Sequence, residues 1–246
     1  MSLVKQRLHN HVLDIEMNRP DKKNALTTEM YLDLSEAFVA AKHNDDVKVI
    51  LLSGQPFCFT AGNDLKDFME QPPKDDDAPV FRFMKAVTDF PKPLVTAVNG
   101  PAVGIGTTIC LHSDLVYCGK SARFQLPFVK LGLVPEFASS YLLPFISSHA
   151  KAFELLVLGE PFNAEVAREI NLVNQVFDDE NYLNAAHHRA QEIAKLPQQA
   201  VFATKQLLRS HYMARNLQAI DQEAREFAKR LDSEEAQAAF ANFFKR

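Results

Sequence analysis

Hydrophobic and polar positions along the chain follow two different periods. LVKQRL (residues 3–8) and HVLDIEM (11–17) alternate with a period of two, and His9-Asn10 supplies a turn between them. That pattern predicts a β-hairpin. TTEMYLDLSEAFVAAKH (27–43) then switches to a helical period, with Tyr31, Leu34, Phe38 and Ala41 on one face. VKVILLSG (47–54), KPLVTAVNG (92–100) and SDLVYCG (113–119) are near-continuous apolar runs, the form taken by strands covered on both faces. Each is followed by a glycine turn, at Gly54, Gly100 and Gly119. From about residue 181 the pattern is helical throughout: NYLNAAHHRAQEIAKLP, PQQAVFATKQLLRSH, NLQAIDQEAREFAKRLDS and EEAQAAFANFFKR. The prediction is an α/β core over 1–180 and a helical region over 181–246. MEQPPKDDDAPV (69–80), rich in Pro and Asp, reads as a surface loop, with a ligand-covering lid as the alternative.

Composition narrows the classes. The chain has 246 residues, 47% of them apolar, which is enough for a full core and one large domain. A formal net charge of −4 argues against a nucleic-acid or anionic-membrane partner. Cys58, Cys110 and Cys118 are too few for a disulfide framework and read as buried thiols. No apolar run approaches the roughly 18 residues of a membrane span. The opening MSLVKQRLHNH lacks an apolar signal core and the closing NFFKR is not a Ser-Lys-Leu address, so a cytoplasmic location is expected.

Three places carry candidate chemistry. FCFTAGNDL (57–65) and VNGPAVGIGTTI (98–109) each put glycines between a strand end and a helix start. Such turns expose backbone N–H groups, and two side by side can serve a developing negative charge. The third is Glu136, the one ionisable residue in LGLVPEFASSYLLPF (131–145). A carboxylate there is either a helix N-terminal acid held by the macrodipole or a partly buried base with a raised pKa. The phosphate-loop, nucleophile-elbow and dinucleotide patterns are missing, and the eight histidines have no metal-ligand spacing, so no metal is expected.

NRPDKKNAL, FTAGNDL, VNGPAVGIG and LGLVPE occur in the order and spacing of the crotonase superfamily of enoyl-CoA hydratases and isomerases, which the chain resembles along its full length. AGNDL, NGPAVGI and PEFASSYLLP are most similar to the peroxisomal-type Δ3,Δ2-enoyl-CoA isomerases. The resemblance implies a spiral of ββα turns, a C-terminal helical region that builds a trimer or hexamer, and an acyl-CoA thioester as substrate, with no separate cofactor. It assigns the oxyanion amides to Asn63 and Ile105, the latter following Gly104. It places the adenine and pantetheine against Lys22, Ala25 and Leu26 and against Ala61, Gly62, Asn63, Asp64 and Leu65, and lets Phe128 line the acyl tunnel.

The departures matter as much. Hydratases of the superfamily use two glutamates to add water; the matching positions here are Thr108 and Phe128. Neither acts as a base near neutral pH, so hydration is disfavoured. The isomerases carry one glutamate at the position of Glu136. One base can take a proton from one carbon of an allylic system and return it to another on the same face, which gives the expectation of a 3-enoyl-CoA to 2-enoyl-CoA isomerase. Dienoyl-CoA isomerisation, residual hydration and plain acyl-CoA binding are the alternatives.

Overall fold

The computed structural model describes residues 2–73 and 77–243. Its elements, in chain order, begin with β1 (Val4–His9), β2 (Val12–Met17), α1 (Thr28–His43), β3 (Val49–Ser53), α2 (Leu65–Glu70) and α3 (Pro79–Thr88). The middle comprises β4 (Leu94–Val98), β5 (Pro101–Val103), α4 (Ile105–Thr108), β6 (Leu115–Gly119), β7 (Arg123–Gln125), α5 (Ser139–Ile146) and α6 (His149–Phe153). After these come β8 (Phe162–Asn163), α7 (Ala164–Glu169), β9 (Gln175–Phe177), α8 (Tyr182–Lys195), α9 (Gln198–Ser210), α10 (Met213–Leu231) and α11 (Glu234–Phe243).

The expected hairpin is present. β1 and β2 pair antiparallel, and the turn falls one residue later than expected, on Asn10 and His11, both at positive φ. The Thr27 hydroxyl caps α1 by accepting from the Met30 amide, and Tyr31, Leu34, Phe38 and Ala41 are buried as the periodicity requires. The large sheet has the order β1-β2-β3-β4-β6-β9, parallel from β2 onward. Its apolar strands are covered on both faces, which explains their continuous runs. Val49, Leu51, Val95 and Ala97 face Ala186, Ala190 and Ala194 of α8. Ile50, Leu52, Leu94 and Val98 face the main core with Phe38, Phe83 and Phe90. Helix α8 thus covers the sheet, so the packed α/β layers extend past the expected division at 180.

A second stack runs beside the first. After β2, β3, β4 and β6 the chain passes through a short extended segment that pairs with a neighbouring one. Leu26 bridges Asn63, Thr60 bridges Ala102, and β5 pairs with β7, which pairs with β8. This recurrence is the ββα spiral. It was invisible to periodicity because its pieces are one to three residues long. Met69 and Glu70 end α2, and Pro79 and Val80 begin α3, so the stretch read as one loop over 69–80 is shorter than expected. Residues 74–76 of that stretch lie outside the described residues.

Candidate active site

The second stack sets the two glycine turns side by side. The Thr60 amide donates to the Pro101 carbonyl (3.0 Å) and the Val103 amide to the Thr60 carbonyl (3.0 Å). The Thr60 hydroxyl donates to the Asn24 carbonyl (2.6 Å) and accepts from the Gly62 amide (3.0 Å). Leu26 and Asp64 close the far side, Leu26 N to Gly62 O and Asp64 N to Leu26 O, both 2.8 Å. Gly62 (φ +89°) and Gly104 (φ +55°) occupy backbone conformations that side chains disfavour. A Cβ on Gly62 would also lie 2.9 Å from the Val103 carbonyl oxygen. The residues after these glycines are Asn63 and Ile105, whose amides have no acceptor among the described residues. Both residues line one open cleft of about 1390 Å³.

Of the residues singled out by resemblance, that cleft gathers Lys22, Ala25, Ala61, Gly62, Asn63, Asp64, Leu65, Gly104, Ile105 and Phe128. Leu26 is not among them: its side chain is buried in the main core and its backbone makes the pairing above. Asp64 lines the cleft, but its carboxylate is engaged. It pairs with Arg19 (2.7 Å) and caps α2 by accepting from the Lys66 and Asp67 amides. Burial raises its pKa, yet Arg19 and the amides outweigh that and leave it below the usual carboxylate value. Phe128 stands with Gly104 and Ile105 in the open cleft, not beside Glu136.

Glu136 lies in the adjoining cavity, lined with Phe68, Phe81, Met84, Phe137, Ile220 and Phe227. Asn63, Phe68 and Phe227 border both spaces. Glu136 is the one ionisable side chain among the described residues that line its cavity. Burial pushes its pKa up to about 8; the Thr108 hydroxyl, donating to Oε1 at 2.7 Å, pulls it down, and the charge of Glu223 adds to the rise. Thr108, which the resemblance sets at a hydratase glutamate position, is thus a hydrogen-bond donor to this carboxyl. Glu136 precedes α5, but Phe137 and Ala138 are left-handed (φ +56° and +55°), so the helix starts two residues later than the apolar pattern implied. Tyr31, read from the sequence as a core residue, donates its hydroxyl to Asn63 Oδ1. Glu223 was not singled out at all, although a carboxylate on the stripe shared with Ala219 and Phe227 is a signal of the same kind as Glu136.

A buried carboxylate, two backbone donors on an adjoining surface and an open cleft fit abstraction of a proton next to a carbonyl whose oxygen the amides receive. The chain belongs to the enoyl-CoA hydratase/isomerase family, whose model matches residues 7–246, and it has the crotonase fold. It is 37% identical to human enoyl-CoA delta isomerase 2, over 96% of this chain and 61% of that protein, so it spans about three fifths of that relative's length. It is 34% identical to 1,2-epoxyphenylacetyl-CoA isomerase of Escherichia coli K12, over 85% of this chain and 83% of the relative. The solved structure of Pseudomonas aeruginosa OdaA matches with a TM-score of 0.98 and 44% identity over the whole of both chains.

Proposed function

We propose that the protein is a Δ3,Δ2-enoyl-CoA isomerase with Glu136 as its single base. The observation that carries this reading is the lone carboxylate in an apolar cavity that shares Asn63 with the cleft of the two amides. The thioester oxygen would accept from the Asn63 and Ile105 N–H groups. Glu136 would take the C2 proton as the enolate forms and deliver it to C4 on the same face, or the reverse. No water is consumed. Thr108 and Phe128, at the hydratase positions, supply no second acid or base to activate one. The carboxylate is the reactive form, and its apolar surroundings strengthen it as a base. The amides stabilise the enolate without reorganising, because the Thr60–Ala102 and Leu26–Asn63 bridges already fix them.

The test is an assay with trans-3-hexenoyl-CoA, following formation of the conjugated 2-enoyl thioester. Wild-type protein should convert it, and Glu136→Gln should lose about 10²–10⁴-fold in kcat while still binding the thioester. Equal activity in both would place the base elsewhere, and no activity in the wild type would sink the isomerase assignment. A second reading is favoured by the similarity to 1,2-epoxyphenylacetyl-CoA isomerase over most of both chains. The same assay series should therefore include 1,2-epoxyphenylacetyl-CoA, and turnover of it alone would make that the reaction.

A further inference from the structure

The backbone that carries Glu136 is strained. Phe137 and Ala138 are consecutive non-glycine residues in the left-handed region, at a cost of roughly 1–2 kcal/mol each. Such a turn persists only where its surroundings over-determine it. Two groups from distant parts of the chain do so. Glu223, on α10, is buried; its Oε2 accepts from the Ala138 amide at 2.5 Å and its Oε1 from the Ser140 amide at 2.8 Å. His112 stacks on the Phe137 ring (3.8 Å between centroids) and donates from Nε2 to the Phe137 carbonyl at 2.8 Å. The Ser139 hydroxyl fixes the next link by donating to the Glu136 carbonyl at 2.6 Å.

We propose that Glu223 is a positioning residue for the base: its two-pronged grip on the Ala138 and Ser140 amides holds the left-handed turn that aims Glu136 into the acyl cavity. The grip satisfies two of the N-terminal amides of α5 that no helical carbonyl can reach. It is charge-assisted and planar, so it fixes direction as well as distance. Helix α10 does this from the face that also walls the cavity, since Ile220 and Phe227 lie one turn either side of Glu223 and Ala224 is its neighbour. The ionisable groups around the turn are Glu136 itself, Tyr31 on α1, His112, which burial holds neutral with a pKa near 3, and Arg209 on α9 beyond it. None of the last three hydrogen-bonds to Glu223 among the described residues. Glu223 therefore acts on Glu136 in two ways: through the backbone, and by a like charge that opposes ionisation of the base.

The proposal rests on Glu136 being the base, and Glu223→Gln tests it. Glutamine has the same length but only one acceptor oxygen and no charge. Misplacing the base should lower kcat about 10- to 100-fold, with KM for the thioester within about threefold. Removing the like charge should move the acid limb of kcat/KM to lower pH. A residue that only stabilised the fold at a distance from the base would not move that limb, and the fall in kcat reads the grip on the turn. A folded Glu223→Gln with unchanged kcat and an unchanged acid limb overturns the proposal. If the wild type proves inactive, the isomerase reading has failed, and the carboxyl of Glu136 is titrated directly instead. Its ¹³C signal, assigned by its loss in Glu136→Gln, should titrate at lower pH in Glu223→Gln; titration at the same pH in both proteins overturns the proposal without reference to turnover.

Discussion

Glu136 combines two demands that oppose each other. As the proposed base it must ionise, yet burial favours its neutral form and places its pKa at about 8. Because the carboxylate is the reactive form, kcat/KM should rise with pH and level off above about 8, and a profile flat between pH 6 and 9 would contradict this. The same group leaves a signature in stability. Its folded-state pKa lies above its unfolded value of 4.5, so the folded protein holds the proton more tightly across that interval. Stability is full below about 4.5 and is lost as pH rises through about 8, by on the order of a few kcal/mol. Glu136→Gln carries no such charge. Its melting temperature should match the wild type near pH 4.5 and exceed it by a margin that widens up to pH 9. A constant margin would mean that Glu136 is not buried as described.

Among the elements, the glycine turns carry the sharpest expectation. Gly104 has φ +55° and ψ −116°, while a Cβ there would meet only Phe128 Cε1 at 3.9 Å. The obstacle to Gly104→Ala is thus backbone conformation and not space. The substitution should cost about 1–3 kcal/mol. It should also turn the Ile105 amide away, lowering kcat by about 10²-fold, as loss of one such donor does. Unaltered kcat would show that the Ile105 N–H does not serve the reaction. Not every element was legible in the sequence: α2, α3, α6 and α7 were not anticipated. The hairpin, α1, β3, β4, β6 and the C-terminal helices carry their period in their own residues. The second stack was not, because β5, β7 and β8 have two or three residues each and gain their form from neighbours in space. The site divided along the same line. Glu136 stood out because its sequence neighbours are apolar, and the glycine turns because φ > 0 leaves a mark in composition. The hydroxyls of Thr108 and Tyr31 and the carboxylate of Glu223 did not, since their partners lie 28, 32 and 83 to 85 residues away. Leu26 is tied to the turns by its backbone, through the bridge to Asn63 that no sequence pattern marks.

At the scale of the molecule, the C-terminal helices are not a detached appendage. α8 covers the large sheet, α11 contributes Ala239 and Phe240 to the open cleft, and α10 borders the cavity that holds Glu136. The outer surface remains apolar in places: Leu207 and Leu208 on α9, and Phe145 on α5 of the core, are largely exposed. Exposed apolar side chains of this size are a mark of association. Together with the trimer implied by resemblance, they lead us to expect a solution mass three times that of the chain by light scattering, and a monomer mass would overturn that expectation. Helix α10 has one more consequence. On the proposed function, Ile220, Ala224 and Phe227 are the wall against which an acyl tail would press, and Glu223 on the same helix would steady the base. A tail too bulky for the cavity cannot push this wall back without dragging the catalytic group out of line. Substrate length should therefore be sensed as a loss of turnover, beyond any loss of affinity: the enzyme would hold an oversized thioester yet leave it unreacted.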